Sequence, residues 1–474
     1  MKRINARISL RRLVSLWLAL LLTATVFGLF ACDKAPTPPD SETESGTLED
    51  SASTTEQGIV APETLPESLK NYRVVYAIGS PDRVVSAANT LARQINLMTD
   101  STDVRAVADT FSEKELEILV GETDRSTLSA SGMFLYDYSI KFDGKKLVLL
   151  GGSGYALENA VNKLVELLQT NSFKGAYEYK FDTSLFNPLA FDQGSFVPVW
   201  AGTRAVPTWV TNYEEKLCAL TKGGGRPMTI VHRATDAAGY PENTLEGGLS
   251  ACLLGADMLE LDLRLTKDNV IVVTHDKALS SSTDFFYKRG KNGLPMTDDI
   301  GDWTFAQLKQ LCLLDVNGHM TKYTIPSYYE FAKATDGRCF LILDKKEKSI
   351  NYEDVLDVLY HADNVESALY AMFTSADDGP SNAKSLSVVK EFSAKHPELE
   401  ELSAILSRLD GYLSVPGAAL CTRGSLGISG ASTKNPKETF AIYQKCYNSG
   451  VKLFWTNDIR LATSFVYGYR PDLT

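Results

Sequence analysis

Five histidines occur in the 474 residues, and two of them end short apolar runs. His232 follows Met228-Thr-Ile-Val231, and His275 follows Val270-Ile-Val-Val-Thr274. Apolar runs of this length read as buried strands. An imidazole at a strand end can take or give a proton near neutral pH. A third apolar run, Met258-Leu-Glu-Leu-Asp-Leu263, is interrupted by two carboxylates. Alternate residues of a strand share a face, so Glu260 and Asp262 point the same way. Burying both is costly without positive charge, which implies either a bound cation or pairing with Lys267 or with Arg264, which shares their face.

The segment from Asp262 to His275 is too short for a parallel crossover and contains no helical pattern, so it reads as a hairpin. Asp268-Asn269 suits a two-residue turn. Antiparallel pairing about it requires paired residue numbers to sum to 537, which sets His275 opposite Asp262. Cross-strand partners share a face about 4.5–5.5 Å apart at Cβ. A slip of one residue would turn the ring away.

Two blocks position these residues. Strands are expected at 228–232, 258–263, 339–344, 368–373, 402–406, 418–422 and 451–456, mostly separated by helical stretches. Repeated strand–helix units over residues 225–474 point to a TIM (β/α)8-type barrel. An α/β accessory domain precedes it at 65–190, joined by a connector at 191–224. In that front block, strands at 72–77 and 117–121, a hairpin turning at Asp143-Gly144 and helices at 83–98 and 156–169 are expected. Gly151-Gly152-Ser153-Gly154 stands where a helix N-terminus could cradle an anion, although an ordinary glycine-rich turn has the same composition.

The motifs of the second block occur in a telling order. They are His232-Arg233, Pro241-Glu-Asn-Thr244, Gly255-Ala-Asp-Met-Leu-Glu-Leu-Asp262, Leu265-Thr-Lys-Asp268, Val272-Val-Thr-His-Asp276, Ile325-Pro326 and Leu341-Ile-Leu-Asp-Lys-Lys346. Together they resemble the glycerophosphodiester phosphodiesterases, a branch of the phospholipase-C-like TIM barrels. The resemblance implies hydrolysis of a glycerophosphodiester to glycerol 3-phosphate and an alcohol. It implies that His232 and His275 exchange protons with the substrate, by way of a cyclic glycerol phosphate; which ring starts as base is left open. It implies one divalent metal, Ca²⁺ or Mg²⁺, held by Glu260, Asp262 and Asp344, with Arg233 and Lys346 balancing phosphate charge. Two positions depart from the family pattern: Ala234 stands where glycine is usual, and Asp344 where the longer Glu is usual. Ala234 is strained if its φ is positive, and Asp344 needs a closer backbone or an intervening water. Glu242 reads as a helix cap or packing residue, with the metal site as the alternative, and Tyr328, Tyr329 and Phe331 read as ordinary packing, with a substrate pocket as the alternative. The front block, through Ile118-Leu-Val-Gly-Glu-Thr-Asp-Arg125 and Lys146-Leu-Val-Leu-Leu-Gly-Gly-Ser153, resembles the accessory domain at the front of α-glucuronidases, which implies a contact with glycan.

Residues 1–32 carry Lys2, Arg3, Arg7, Arg11 and Arg12 before an apolar run that ends in Leu29-Phe-Ala-Cys32. This resembles a lipoprotein signal with Cys32 as the lipidated residue. An uncleaved transmembrane anchor and simple secretion are the alternatives, and each places the chain outside the cytoplasm. Residues 33–64, rich in Pro, Ser, Thr and acid, read as a disordered tether. With 48 Lys+Arg against 59 Asp+Glu, the net charge of -11 argues against nucleic acid as a partner. The seven cysteines form no Cys-x-x-Cys pair, which argues against a zinc site. Cys252, Cys339 and Cys421 sit in apolar stretches and read as buried thiols. The expected substrates are free head-group diesters or glycerol-phosphate polymers of the cell envelope. The rival readings are a cyclising lyase on the same barrel and a surface binding module without catalysis.

Overall fold

The computed structural model describes residues 69–192, 227–235, 239–336, 338–365, 382–399, 436–449 and 453–466. The signal segment with Cys32, the acidic tether, most of the connector, Cys218, Cys421 and the strands expected at 368–373, 402–406 and 418–422 lie outside them. Among the described residues no helix is long and apolar enough to cross a membrane.

The front block is a six-stranded mixed sheet of β1 (Arg73–Tyr76), β2 (Ala106–Ala108), β3 (Glu117–Val120), β4 (Tyr138–Asp143), β5 (Lys146–Gly151) and β6 (Ala176–Tyr179), in the order β2-β1-β3-β5-β4-β6. The first four strands of that order are parallel, and β4 runs antiparallel to both neighbours. Helices α1 (Asp82–Thr99) and α2 (Gly154–Gln169) form where apolar residues recur every three or four positions. Leu91 and Ile95 of α1 and Leu157, Val161 and Leu164 of α2 share one core with Ile118, Leu147 and Leu149 of the sheet. Ser153 caps α2 by accepting from Ala156 N–H. The β4–β5 turn falls at Gly144, whose φ of 60° suits glycine, between the paired Asp143 and Lys146. Strands β2 and β6 are short and without fully buried residues, and no apolar alternation announces them.

In the second block, β7 (Met228–Val231), β8 (Met258–Leu265), β10 (Phe340–Lys345) and β11 (Leu453–Thr456) form a parallel arc in the order β10-β8-β7-β11. Helix α3 (Leu245–Leu253) links β7 to β8, α4 (Tyr328–Thr335) enters β10, and α5 (Tyr352–His361) leaves it. Helices α6 (Asn382–Lys395) and α7 (Pro436–Asn448) follow, and α8 (Ile459–Val466) succeeds β11. The architecture is α/β and barrel-like, and the four parallel strands end on one edge. Tyr328, Tyr329 and Phe331 are buried in this core, as packing residues should be.

The hairpin differs from its sequence expectation by one residue. Strand β9 (Ile271–Val273) pairs with β8 in a register where residue numbers sum to 536: Leu263 with Val273, Arg264 with Val272, Leu265 with Ile271. The turn contains three residues, because Asn269 adopts φ 59° and Thr266 N–H closes on the Val270 carbonyl. The Asp268 carboxylate is engaged by Thr266 Oγ1 at 2.6 Å and by Phe305 N–H at 2.9 Å, so it does not serve the tight turn expected of it. Thr274, not His275, stands across from Asp262, its N–H donating to the Asp262 carbonyl at 2.9 Å.

The front block and the barrel share one apolar core. Phe134, Phe181 and Phe186 of the front block meet Phe305 and Tyr329 of the barrel with ring centroids 5.0–6.2 Å apart. The glycine-rich turn before α2 is met by a carboxyl group of the protein itself: Gly154 N–H donates to Asp357 Oδ2 of α5 at 3.2 Å. Burial pushes the Asp357 pKa up to about 7.

Cys252 of α3 and Cys339, just before β10, form a disulfide across 87 residues, where two thiols were expected. Closing a loop of that length stabilises by about 2–5 kcal/mol in the chain-entropy account. The double variant Cys252→Ser/Cys339→Ser should lose stability of that order in urea titration. An unchanged midpoint would show that the bond restrains nothing.

Candidate active site

Glu260 and Asp262 occupy alternate positions of β8, and Asp344 lies beside Asp262 in the parallel register with β10. Each of the three brings a carboxylate oxygen within 4.8 Å of the other two. Glu260 and Asp262 are 1% exposed, and Asp344 is half-buried. Because Asp344 shares a rung with Asp262, its short side chain reaches the cluster without an intervening residue.

The compensation for this buried charge is built from the chain. Arg233 N–H donates to Glu260 Oε2 at 2.7 Å. Asn243 Nδ2 donates to Asp262 Oδ2 at 2.8 Å, and Arg233 Nε lies 3.7 Å from the same oxygen. Lys346 Nζ sits 2.8 Å from Asp344 Oδ2 and 3.0 Å from Asp262 Oδ1. Burial alone would lower the Lys346 pKa, but the two carboxylates override it and hold the ammonium above its ordinary range. Lys346, expected as a phosphate ligand, thus lies on the acids. Arg264, considered as their partner, instead donates to the His275 carbonyl at 2.7 and 2.9 Å. Glu242 neither caps α3, whose cap is Thr244, nor joins the acids; it pairs with Arg233 Nη1 at 2.7 Å.

The backbone after β7 is folded to aim these groups. Arg233 and Ala234 have φ of 52° and 49°, both in the left-handed region, and Asn243 N–H closes on the Arg233 carbonyl at 2.6 Å. That turn directs the Arg233 N–H at Glu260. The strain expected at Ala234 is therefore present. Its methyl is fully buried beside α3, where a Cβ on Gly248 would lie 3.5 Å from it and only 2.6 Å from Phe331.

The two histidines have different partners. His232 Nδ1 lies 2.8 Å from Asn457 Oδ1, because β11 pairs with β7 so that Asn457 follows the Thr456–Val231 rung. A carbonyl oxygen can only accept, so Nδ1 carries the proton and Nε2 keeps a lone pair. Burial lowers the His232 pKa, the Asn457 hydrogen bond opposing it in part. His275 lies one residue beyond Thr274 with a third of its side chain exposed, and its Nδ1 is 2.7 Å from Asp276 Oδ1. That hydrogen bond holds Asp276 below the usual carboxylate range. Arg233 is within electrostatic reach of Asp276, which links the two histidine neighbourhoods. His275 therefore does not stand opposite Asp262, contrary to the hairpin argument.

Asn457, Asn243 and Asp276 were not singled out from sequence. Asn243 and Asp276 stood inside the quoted motifs Pro241-Glu-Asn-Thr244 and Val272-Val-Thr-His-Asp276, and Asn457 directly follows the strand expected at 451–456. Their partners lie elsewhere on the chain or depend on ring orientation, so spacing alone does not reveal their roles.

The donor set consists of oxygen atoms only, two of its three carboxylates are almost fully buried, and all three converge. This fits a hard divalent cation such as Ca²⁺ or Mg²⁺. An ion entering the cluster would exchange with the Lys346 ammonium.

At Ala234, a left-handed φ costs a non-glycine residue roughly 1–2 kcal/mol. Glycine removes that cost but loses a buried methyl, about 0.8 kcal/mol, and stiffens less of the unfolded chain. Ala234→Gly should therefore change unfolding free energy by less than about 1 kcal/mol, whereas the β-branched Ala234→Val should cost more than about 2 kcal/mol. Equal effects in chemical denaturation would mean that the backbone there relaxes freely.

Residues 232–377 match the family described as "Glycerophosphoryl diester phosphodiesterase family". A glycerophosphodiester phosphodiesterase of Caldanaerobacter subterraneus subsp. tengcongensis is 30% identical over 139 residues, which is 29% of this chain and 52% of that protein. One of Haemophilus influenzae is 45% identical over 89 residues, 18% of this chain and 23% of that protein. The chain thus spans about half the length of the first of these relatives and about a quarter of the second. A crystal structure of a glycerophosphoryl diester phosphodiesterase from Parabacteroides distasonis aligns over 54% of this chain and 93% of that one, at 20% identity and a TM-score of 0.36. The segment 232–377, which holds both histidines, Arg233, Lys346 and all three clustered carboxylates, is the part of this chain that matches the glycerophosphoryl diester phosphodiesterase family.

Proposed function

We propose that this chain hydrolyses glycerophosphodiesters to glycerol 3-phosphate and an alcohol, with His232 as the initial base and His275 as the acid. The observation that carries the reading is the convergence of Glu260, Asp262 and Asp344 at the strand edge where His232 and Arg233 emerge. Glu260, Asp262 and Asp344 would hold one divalent cation, which supplies positive charge to the phosphate as its charge develops.

His232 is buried, its pKa is lowered, and Asn457 fixes its Nδ1 proton, so at neutral pH Nε2 is free to accept. It takes the proton of the glycerol hydroxyl next to the phosphodiester. That oxygen attacks phosphorus, and the bond to the alcohol breaks. His275, its Nδ1 held by Asp276, gives the Nε2 proton to the leaving oxygen. Water then opens the cyclic phosphate with the roles reversed. Arg233 offers its guanidinium to the phosphate. Lys346 does the same once it leaves the carboxylates.

We further propose that the chain acts outside the cytoplasm, tethered through a lipid on Cys32 with residues 33–64 as spacer, on free or envelope diesters. The Cys252–Cys339 disulfide supports an oxidising compartment. The likeness of the front block to the α-glucuronidase accessory domain rests on its sequence runs alone. A second reading, a non-catalytic surface module, draws on the Lys346 ammonium, which already offsets part of the Asp262 and Asp344 charge from within the chain.

Glycerol 3-phosphate release from glycerophosphocholine should require Ca²⁺ or Mg²⁺, stop with chelator, and fall by about two or more orders of magnitude in His275→Ala. No hydrolysis with any divalent metal favours the non-catalytic module, and a cyclic product that accumulates in ³¹P NMR favours a lyase. The pH profile separates the histidines. The acidic limb of kcat/KM should lie below about 6.5, the ordinary imidazole value, because the base must be neutral and burial disfavours its charged form. Asn457→Asp should move that limb upward by about one pH unit. A limb that stays in place would remove His232 from the base role.

A further inference from the structure

We propose that the front domain is a positioning element of the phosphodiester site, acting through two clamps on the loops that leave β8 and β10. The inference rests on the phosphodiesterase reading above and assigns the front domain a task within it.

Tyr155 and Asn159 lie four residues apart on α2 and so project from one face. Ala156 and Leu157 between them, and Ala160 just beyond, turn into the front domain's own core. Asn159 meets the tip of the β8–β9 hairpin with both ends of its amide. Its Nδ2 donates to the Asp268 carbonyl at 2.9 Å, and its Oδ1 accepts from Asn269 Nδ2 at 2.9 Å. Asn269 is the left-handed residue that makes the turn three residues long. The amide therefore reads the turn that sets the 536 register. One arm of that hairpin holds Asp262, and the other runs on to His275.

The second clamp grips the loop after β10. Arg83 donates from Nε and Nη2 to the Asp354 carboxylate at 2.6 and 2.7 Å, and from Nη1 to Glu158 at 2.7 Å. Its guanidinium lies 3.8 Å from the centroid of the Tyr155 ring, and it also donates to the Ser349 carbonyl. Tyr155 Oη donates to the same carbonyl at 3.3 Å. Ser349 lies three residues beyond Lys346, so the loop that follows that ammonium is pinned at Ser349 and again at Asp354 of α5. Bidentate guanidinium–carboxylate pairing fixes geometry as well as charge.

Both clamps lie at the edge where β1 and β5 end and their helices begin. In open α/β sheets that edge is the usual ligand crevice. Here Asp357 and Asp354 of α5 occupy it, so a glycan does not find that edge open.

The test uses the full chain, with Asn159→Ala and Asn159→Asp, the latter keeping the acceptor toward Asn269 but losing the donor toward Asp268. Amide hydrogen exchange, the melting midpoint, and kcat and KM for glycerophosphocholine are measured together. The expected result for Asn159→Ala is exchange about tenfold faster, confined to residues 262–275, with the midpoint held. kcat should fall about tenfold with KM within about twofold, because a misplaced acid–base group costs rate more than binding. Asn159→Asp should fall between. Unchanged exchange at 262–275 overturns the proposal, as does faster exchange spread over the whole chain with kcat falling only as the folded fraction does. A wild-type chain without hydrolysis counts against the phosphodiesterase reading instead, and the confinement of exchange then decides the clamp by itself.

Discussion

Three carboxylates held together on neighbouring parallel strands are the constraint around which this barrel is arranged. Negative charge removed from water must be matched by donors in place, or the strands carrying it would not stay buried. The chain supplies those donors from three directions: the Arg233 amide over Glu260, the Asn243 amide on Asp262, and the Lys346 ammonium between Asp262 and Asp344. The left-handed turn at Arg233 and Ala234 aims the first of these donors. Local strain is accepted so that a larger electrostatic cost is avoided.

Much of this was legible in the sequence, for reasons that can be named. Strand periodicity put Glu260 and Asp262 on one face, and apolar runs ending in His232 and His275 marked strand ends. Asp344 entered only through the family resemblance, because no local pattern fixes the parallel register that sets it beside Asp262. The hairpin register was not legible. A two-residue turn at Asp268-Asn269 and a three-residue turn with Asn269 left-handed have the same sequence. The choice between them is made by contacts from Phe305 and Asn159, which are distant in the chain. Asn457 escaped for a similar reason, because its meaning lies in the rung it follows on β11. The disulfide joins residues 87 apart, and nothing local signals it.

The front block changes the sense of the word domain for this chain. It has a sheet and core of its own, yet its aromatic residues continue into the barrel core without a break. The polar contacts at that boundary are directional and buried in part, and they fall on loops that leave site-bearing strands. Such a boundary transmits position rather than merely joining two modules.

Helix α3 passes close under the turn at Ala234 because positions 247 and 248 carry no side chains. A methyl on Gly248 would strike the Phe331 ring at 2.6 Å, and one on Gly247 would crowd the Ala234 carbonyl at 3.0 Å. The bare stretch of helix therefore serves two neighbours at once, an aromatic ring of α4 and the backbone of the turn. Evolutionary drift at 248 is tied to the size of the residue at 331, whereas drift at 247 is tied to the path of the turn itself.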